Sequence, residues 1–269
     1  MYNFDLVISL FNGNPDDLVY RLRNLNIVLS ALPYSIHPII IEQKNGDNET
    51  VWENVHLYRS DITYILKERT ANEDFNKCWL YNTGVKNAKT NNIILGESDC
   101  APANPLYFNR VLKFIEGAKC PWAYCWDKLY YLNKNLSEIN HTHSPKTGGP
   151  EGGFVYFRKD YYWSIGGSNE WMNNLGAMDN ELMARARHGT PRKIYKIPES
   201  IFHYWHMSSK LKGTGKMSTK HHSLSRTTNK RMCRKVITNS QKYINLLSKH
   251  INECGGKQPL CDKYPSIVV

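Results

Sequence analysis

The stretch Ile93-Ile94-Leu95-Gly96-Glu97-Ser98-Asp99 places three apolar residues directly before a pair of carboxylates. A short continuous apolar run of this kind is typical of a buried strand in a parallel sheet. In open parallel sheets, ligands bind beyond the carboxyl ends of the strands, and that is where Asp99 would stand. Because residues two apart in an extended chain face the same side, Glu97 and Asp99 are expected to reach one divalent cation. A surface turn with helix-capping acids is the alternative.

The rest of the N-terminal half alternates short apolar runs with amphipathic segments. Buried strands are predicted over residues 5–11, 37–43 and 62–66. Helices are predicted over residues 18–32 and 75–88, where apolar residues recur three and four positions apart. This alternation favours an α/β layer with a mainly parallel, twisted central sheet flanked by helices.

Beyond the acidic pair the pattern is less regular. Helices are predicted over residues 105–117 and 179–188, and an aromatic-rich strand over 122–132. Residues 133–150 are polar and contain Pro and Gly, which predicts a surface loop. The short apolar run 55–58 predicts a strand or sheet edge.

A second acidic site and a histidine pair follow far along the chain. Asp179 stands at the predicted start of a helix, where a carboxylate stabilises the helix dipole or serves as a general base for a hydroxyl. His203 and His206 precede a basic, glycine-containing loop. Either histidine is a candidate ligand for a cation of the Mn type, and a hydrogen-bonded core histidine is the simpler interpretation. We favour His206 as the ligand because it lies nearest the loop.

The formal charge of +11 is concentrated in one segment. Residues 207–236 contain nine Lys or Arg and no Asp or Glu, which leaves only about +2 for the rest of the chain. Such a block indicates contact with the phosphates of a nucleic acid, a nucleotide diphosphate or an anionic surface. A solvated basic loop is the alternative. The nine residues are Lys210, Lys212, Lys216, Lys220, Arg226, Lys230, Arg231, Arg234 and Lys235.

Composition and cysteine usage indicate a cytoplasmic protein. The chain has 269 residues, 41% of them hydrophobic, which fits one large domain or one domain with an appendage. The seven cysteines include no Cys-x-x-Cys pair, which favours reduced thiols; a zinc site built on Cys120 and Cys125 would lack a second pair. We expect no transmembrane anchor and no signal peptide, because there is no apolar run of about 18 residues and no basic N-terminal region.

Seven motifs follow one another in a characteristic order. They are Asn12-Gly13-Asn14, Asn82 to Ala88, Ile93 to Asp99, Gly152-Gly153-Phe154, Gly166 to Glu170, Gly176 to Arg185 and the histidine pair. This order resembles the GT-A nucleotide-sugar glycosyltransferases, especially the family-2-like and GalNAc- or galactosyltransferase-like branches, over roughly residues 4–206. The resemblance implies a single GT-A-type domain over residues 1–206, with a Rossmann-like nucleotide-sugar half over about 1–100 and an acceptor half over about 101–206. Residues 207–269 would form a basic loop and a C-terminal helix packed on this core.

The resemblance also implies roles for individual residues. Glu97 and Asp99 would hold Mn or Mg on the diphosphate of a UDP-sugar, or Glu97 would hold the ribose. Asp179 would be the catalytic base, and His203 or His206 would complete the metal site. Further contacts to the sugar nucleotide are expected from Asn12, Asn82, Gly84, Lys86, Ser98, Gly153 and Lys212.

Two positions depart from the family pattern. Glu97 stands where Asp is usual, and Met178 stands where the later motif has Glu. A retaining enzyme would not need Asp179 as a base, so the sequence leaves the stereochemistry of transfer open.

The acceptor is predicted from the basic segment. Nine cations exceed what one diphosphate needs and could follow a nucleic-acid backbone. Together with abundant Asn, Lys, Tyr and Ile, this favours a phage-type enzyme in the host cytoplasm that moves a hexose, with glucose favoured. The predicted acceptor is a hydroxymethylcytosine-type base in DNA or a base that already carries a sugar. The alternatives are a surface glycan or lipid-linked acceptor, a non-catalytic nucleic-acid-binding protein on a transferase scaffold, and a nucleotidyltransferase.

Overall fold

The computed structural model describes most of the chain up to residue 205. The described ranges are 2–12, 15–46, 49–69, 75–144, 152–170, 172, 177–190 and 195–205, together with residues 241, 242, 244, 245 and 249. Several residues named in the sequence analysis lie outside the described residues. They are Gly13, Asn14, His206 and the basic segment 207–236, which includes Lys212. Residues 241, 242, 244, 245 and 249 are helical and fall within the C-terminal helix that the sequence predicts.

Ten strands and six helices make up the named elements of the described residues. The strands are β1 (Phe4–Asn12), β2 (Ile36–Asn45), β3 (Thr63–Arg69), β4 (Asn92–Glu97), β5 (Cys100–Pro102), β6 (Trp122–Tyr124), β7 (Lys128–Leu132), β8 (Ile139–His143), β9 (Val155–Arg158) and β10 (Ser200–His203). The helices are α1 (Pro15–Ala31), α2 (Trp52–Val55), α3 (Lys77–Asn87), α4 (Tyr107–Ala118), α5 (Lys159–Ser164) and α6 (Met178–Gly189).

The larger sheet has six strands in the order β3-β2-β1-β4-β9-β6. Strands β1 to β4 are parallel to one another, and β9 alone runs opposite to the other five strands of this sheet. This confirms the predicted α/β architecture with a mainly parallel sheet. Because β1, β2 and β4 run the same way, their carboxyl ends meet at one edge, and β4 brings Glu97 there.

A smaller, four-stranded sheet follows the acidic pair, in the order β5-β10-β7-β8. Strand β5 begins at Cys100, directly after Asp99, and pairs antiparallel with β10 so that His203 stands opposite Cys100. No sequence pattern predicted this sheet. Its strands are three to five residues long, too short for an apolar period to show.

Three expectations about single segments were wrong. The strand predicted over 122–132 is two strands, because the chain passes at Cys125 to Asp127 from the larger sheet to the smaller one. The loop predicted over 133–150 contains β8, whose polar residues are held by backbone pairing to β7. Residues 52–55 form the helix α2 rather than a strand at 55–58, with only Val55 of that helix buried.

Helix α3 packs closely on β1 and β2 at Gly84. A Cβ atom on Gly84 would overlap Val7 Cγ1 and lie 2.6 Å from Ile41 Cδ1. Both neighbours are fully buried, so a shift of either side chain would disturb the packing of the core. None of the described helices combines the length and hydrophobicity that a bilayer-spanning segment needs.

We expect Gly84→Ala to lower the free energy of unfolding by about 1–2 kcal/mol, because overpacking costs about 1–3 kcal/mol and the better helix propensity of Ala returns part of it. Urea unfolding followed by circular dichroism measures the change. Gly117 in α4 is the matched control, since a Cβ there meets nothing within 4 Å. Gly117→Ala should stabilise by about 0.5–1 kcal/mol. Equal effects of the two substitutions would contradict the close packing at Gly84.

Candidate active site

Glu97 ends β4 in a pocket built by two glycines. Its Oε2 accepts a hydrogen bond of 2.8 Å from the backbone N–H of Gly153. Gly153 has φ +94°, and a Cβ there would lie 2.9 Å from Trp126 Nε1. A Cβ on Gly152 would lie 2.6 Å from Glu97 Oε2. The Gly152-Gly153 motif is therefore explained by close approach of the backbone to the carboxylate and by the left-handed conformation at Gly153.

The Lys77 side chain joins the two acidic motifs. Its ammonium donates to Glu97 Oε1, and it donates to Asp179 Oδ1 and Oδ2 at 2.9 and 3.2 Å. Lys77 opens α3, whose N-cap Asn76 accepts a hydrogen bond from the Trp79 N–H. The three charged residues are 20 and 102 positions apart in sequence. Sequence reasoning missed Lys77 because a lysine at a helix start carries no motif.

The charges of the site are unbalanced. Lys77 contacts Glu97 and Asp179, and Arg21 donates to Ser98, the residue between Glu97 and Asp99. With these two positive charges counted, about one negative charge remains in excess when all three carboxylates are ionised. Burial alone lowers the pKa of Lys77, but Asp179 and Glu97 more than offset it and hold that pKa well above its ordinary value. Burial raises the pKa of Glu97, and Asp179 and Asp99 raise it further against the opposing effect of Lys77. A divalent cation would balance this excess of negative charge.

Asp99 lies between a cysteine and a histidine. Its Oδ1 is 3.7 Å from Cys100 Sγ, and its Oδ2 is 3.8 Å from His203 Nε2. Ligand atoms of Glu97, Asp99 and Cys100 all lie within 4.8 Å of one another. The His203 ring is held by stacking on Tyr131, with ring centroids 4.6 Å apart. The spacing of Glu97, Asp99 and Cys100 fits a divalent metal ion, and of the predicted ligands the structure brings Glu97 and Asp99 together and places His203 beside Asp99.

Two carboxylates near the start of α6 have different environments. The Asp179 carboxyl group is 31% exposed and faces Lys77, so it is accessible to a substrate. Glu181 is fully buried and forms a two-point ion pair with Arg185, through contacts of 2.9 and 2.6 Å. Arg185 also donates to the Ile165 carbonyl. Glu181 and Arg185 therefore anchor the helix, and Asp179 is the carboxylate of this pair that remains exposed.

Some predicted contact residues lie near this edge of the sheet. Asn12 ends β1, and its side-chain amide donates to Glu42 Oε1 and to the Glu49 carbonyl, both at 2.6 Å. The Ser98 hydroxyl accepts from Arg21 Nη1 at 3.3 Å and is buried in the turn between Glu97 and Asp99. Direct contacts of Asn12 and Ser98 to a nucleotide stay predictions.

The motif Asn82 to Ala88 has mainly structural contacts. Asn82 is buried; its Nδ2 donates to the Ser168 carbonyl and Glu170, and its Oδ1 accepts from Tyr162 and the Ser168 N–H. These four bonds use the whole capacity of the amide. Gly84 faces the sheet, as described above. Lys86 is exposed and lies nine residues along α3 from Lys77, or roughly 14 Å at the rise of a helix. The geometry thus favours a packing role for this motif, and its nucleotide contacts stay predictions.

Glu170 is a buried acid with a shifted titration. It is 5% exposed and accepts a hydrogen bond of 2.6 Å from Asn82 Nδ2. Burial raises the pKa of Glu170 from 4.5 to about 7, and the Asn82 hydrogen bond and the Lys67 charge oppose this shift. The folded protein therefore binds more protons than the unfolded chain between these two pKa values, so its stability falls as the pH rises through that range.

We expect Glu170→Gln to stabilise the protein at about pH 8 by up to roughly 3 kcal/mol, because a neutral side chain avoids the cost of a buried charge at about 1.4 kcal/mol for each unit of pKa. Near pH 4.5 the variant and the wild type should unfold at the same urea concentration. Glu138 is exposed, so Glu138→Gln is the control and should leave the free energy of unfolding unchanged at both pH values. An equal stabilisation by Glu170→Gln at both pH values would contradict the shifted pKa.

The strand order and the acidic site together define a class of structure: the chain has a GT-A glycosyltransferase-like fold. Among solved structures, GalNAc-T7 with UDP, GalNAc and Mn²⁺ is similar with a TM-score of 0.58 and 12% identity, over 87% of this chain and 48% of that chain. Staphylococcal TarS (S. aureus) with UDP-GlcNAc is similar with a TM-score of 0.53 and 13% identity, over 77% of this chain and 60% of that chain. Identities this low show a shared fold.

Sequence comparison adds no family to this structural likeness. No protein-family model matches the chain, and no curated protein is similar to it in sequence. The chain spans about half to three fifths of the length of the solved structures that it resembles.

Proposed function

We propose that the chain is a metal-dependent glycosyltransferase that moves a sugar from a UDP-sugar to a hydroxyl group. One observation carries the proposal: Glu97 and Asp179, which come from two distant motifs, meet at the carboxyl end of β4 on a single ammonium, and Asp99 lies in one cluster of donor atoms with Glu97. The fold supports the same conclusion, because GalNAc-T7 was crystallised with UDP and Mn²⁺ and TarS with UDP-GlcNAc.

Each residue of the site has a distinct part in this proposal. Asp99 and Glu97 would hold Mn or Mg with His203, and His206 is the alternative histidine. The bound ion would neutralise the diphosphate as its bond to the sugar breaks. Asp179 would take the proton of the acceptor hydroxyl as its oxygen bonds to the anomeric carbon, which corresponds to inversion. Lys77 orients Asp179 towards the end of β4.

We also assign the nucleotide, the acceptor and the phosphate contacts to different parts of the chain. The nucleotide would lie on residues 1–100, with Asn12, Ser98 and Gly153 near it, and the acceptor on residues 101–206. Lys212 and the rest of segment 207–236 would contact phosphate, and residues 207–269 would pack on the core. We place the enzyme in the cytoplasm, which is that of the host if a phage encodes it.

For the acceptor we propose a hydroxymethylated base in DNA, with glucose as the first sugar to test. The support is the segment 207–236, which has nine cations and no anion. A hydroxymethyl group on cytosine projects into the major groove, where an enzyme bound to the backbone reaches it.

A transfer assay tests both the proposed enzyme class and the proposed acceptor. The purified chain and Mn²⁺ are incubated with radiolabelled UDP-glucose, UDP-GlcNAc or UDP-GalNAc, and with hydroxymethylated duplex, unmodified duplex or glycan acceptors. Label on the hydroxymethylated duplex alone is the expected result. Label on a glycan alone would remove the DNA acceptor and keep the enzyme class. A chain that neither binds UDP with Mn²⁺ nor transfers any sugar would refute the proposed function.

A further inference from the structure

We propose that Cys100 supplies a sulfur ligand to the metal centre, so that the centre binds Zn²⁺ and Co²⁺ and these ions compete there with Mn²⁺. The inference rests on the metal site of the proposed function, but it requires no sugar transfer. The carboxylates were anticipated from the acid-x-acid triplet. The thiol was not, and it changes the chemistry of the site from oxygen ligands to a mixed set.

The positions of the donor atoms fit one ion. Cys100 Sγ lies 3.8 Å from Glu97 Oε2 and 3.7 Å from Asp99 Oδ1. Ligands held at 2.0–2.3 Å on a tetrahedron are roughly 3.3–3.8 Å apart. The sulfur is therefore already at the spacing that a shared ion requires, without movement of the β5 backbone.

The sheet register brings a nitrogen donor to the same face. His203 of β10 stands directly opposite Cys100 of β5 in an antiparallel pair, and opposed residues project to the same side. The backbone N–H of Tyr204 donates to the Asp99 carbonyl at 2.8 Å, which continues this pairing beyond Cys100. His203 Nε2 is also 3.8 Å from Asp99 Oδ2. Glu97, Asp99 and Cys100 thus offer two oxygens and one sulfur within 4.8 Å of one another, and His203 stands beside Asp99 as a further nitrogen donor.

This donor set selects among metals. Carboxylate oxygens suit Mg²⁺ and Mn²⁺, whereas thiolate and imidazole favour Zn²⁺ and the later transition metals. Binding would replace the S–H bond of Cys100 by a metal–sulfur bond, and the proton would leave to the buffer. A thiol that only donates weak hydrogen bonds to the two carboxylates is the competing interpretation, and spectroscopy separates the two.

The test is titration of the metal-free full-length chain with Co²⁺. Sulfur ligation gives a near-ultraviolet sulfur-to-cobalt charge-transfer band, and we expect this band in the wild type and not in Cys100→Ser. Zn²⁺ affinity, measured by competition with a chromophoric chelator, should fall about 10- to 100-fold in Cys100→Ser. Mn²⁺ affinity, measured by electron paramagnetic resonance, should change less than about threefold, because Mn²⁺ relies on the oxygens.

Cys125 provides the matched control, since it is an equally buried thiol in the turn after β6. Cys125→Ser should keep the cobalt band and the Zn²⁺ affinity. If Cys100→Ser fails to fold, the ¹¹³Cd resonance of the wild-type chain decides: a strongly deshielded signal shows sulfur ligation, and an oxygen-type signal refutes it. Cobalt binding without a charge-transfer band would also overturn the inference.

The outcomes separate this inference from the proposed function. A chain that shows the charge-transfer band but transfers no sugar retains the sulfur ligand and loses the proposed function. A chain that transfers sugar with Mn²⁺ but shows no band retains the proposed function and loses the sulfur ligand.

Discussion

We expect Asp99→Asn to lower the proposed Mn²⁺-dependent sugar transfer by about a thousandfold, which is the range for losing a main source of charge stabilisation in the transition state. Asp99 is the carboxylate that lies between Cys100 and His203, so every candidate donor set includes it. The amide keeps the shape of the side chain and removes its charge. Steady-state kinetics with a saturating UDP-sugar measures the loss in kcat, and electron paramagnetic resonance measures the accompanying loss of Mn²⁺ binding.

Glu116→Gln is the control for this substitution. Glu116 is an exposed carboxylate on α4 and lines a surface cavity with Asn92, at the end of β4 remote from Glu97. The control should transfer sugar at the wild-type rate and bind Mn²⁺ normally. If Asp99→Asn retained near-wild-type turnover, the metal site would have to be sought elsewhere, and the proposed mechanism would fail.

For Lys77→Met we expect the second large effect, a decrease in kcat of about 100- to 1,000-fold with a much smaller change in KM. The reason is that removal of one preorganised charge from an active site costs about 10²–10³ in rate. Without the ammonium, Glu97 and Asp179 repel each other and Asp179 loses both contacts of about 3 Å that orient it. The net charge of the site becomes more negative, so Mn²⁺ should bind more tightly while catalysis fails.

This opposite response of metal affinity and turnover distinguishes Lys77 from a purely structural residue. Lys77→Arg should recover part of kcat because it restores the positive charge with different geometry. Lys113→Met is the control, since Lys113 is exposed on α4. A Lys77→Met variant with normal kcat, or with Mn²⁺ affinity lowered in parallel with kcat, would contradict the role of Lys77 in positioning Asp179.

Local sequence patterns were sufficient to predict the strand and the helix that carry the acidic residues of the site. The apolar run 93–95 predicted a buried strand that ends at the acidic pair, and β4 contains this run and extends from Asn92 to Glu97. The period of the helix at 179–188 likewise placed Asp179 in the first turn of α6. These predictions succeeded because the residues that decide each element are neighbours in sequence. Periodicity and terminal residues report such local preferences directly.

The residues that act together were less accessible to sequence reasoning. Lys77 meets Asp179 across 102 positions, and no spacing rule connects a lysine at one helix start to an acid at another. The pairing of Cys100 with His203 depends on the register of two strands of three and four residues. Register is set by backbone pairing between distant segments, and a one-residue slip would turn each side chain to the opposite face.

The sequence by itself therefore determined the α/β class and the position of a carboxylate pair at the end of a central strand, because apolar runs and the acids that follow them are local. The tertiary structure alone decided that Lys77 balances two of the acids, and that Cys100 and His203 stand on either side of Asp99. The physical reason is that charge balance and metal geometry depend on distances between atoms. Those distances exist only after the two sheets have formed and packed together.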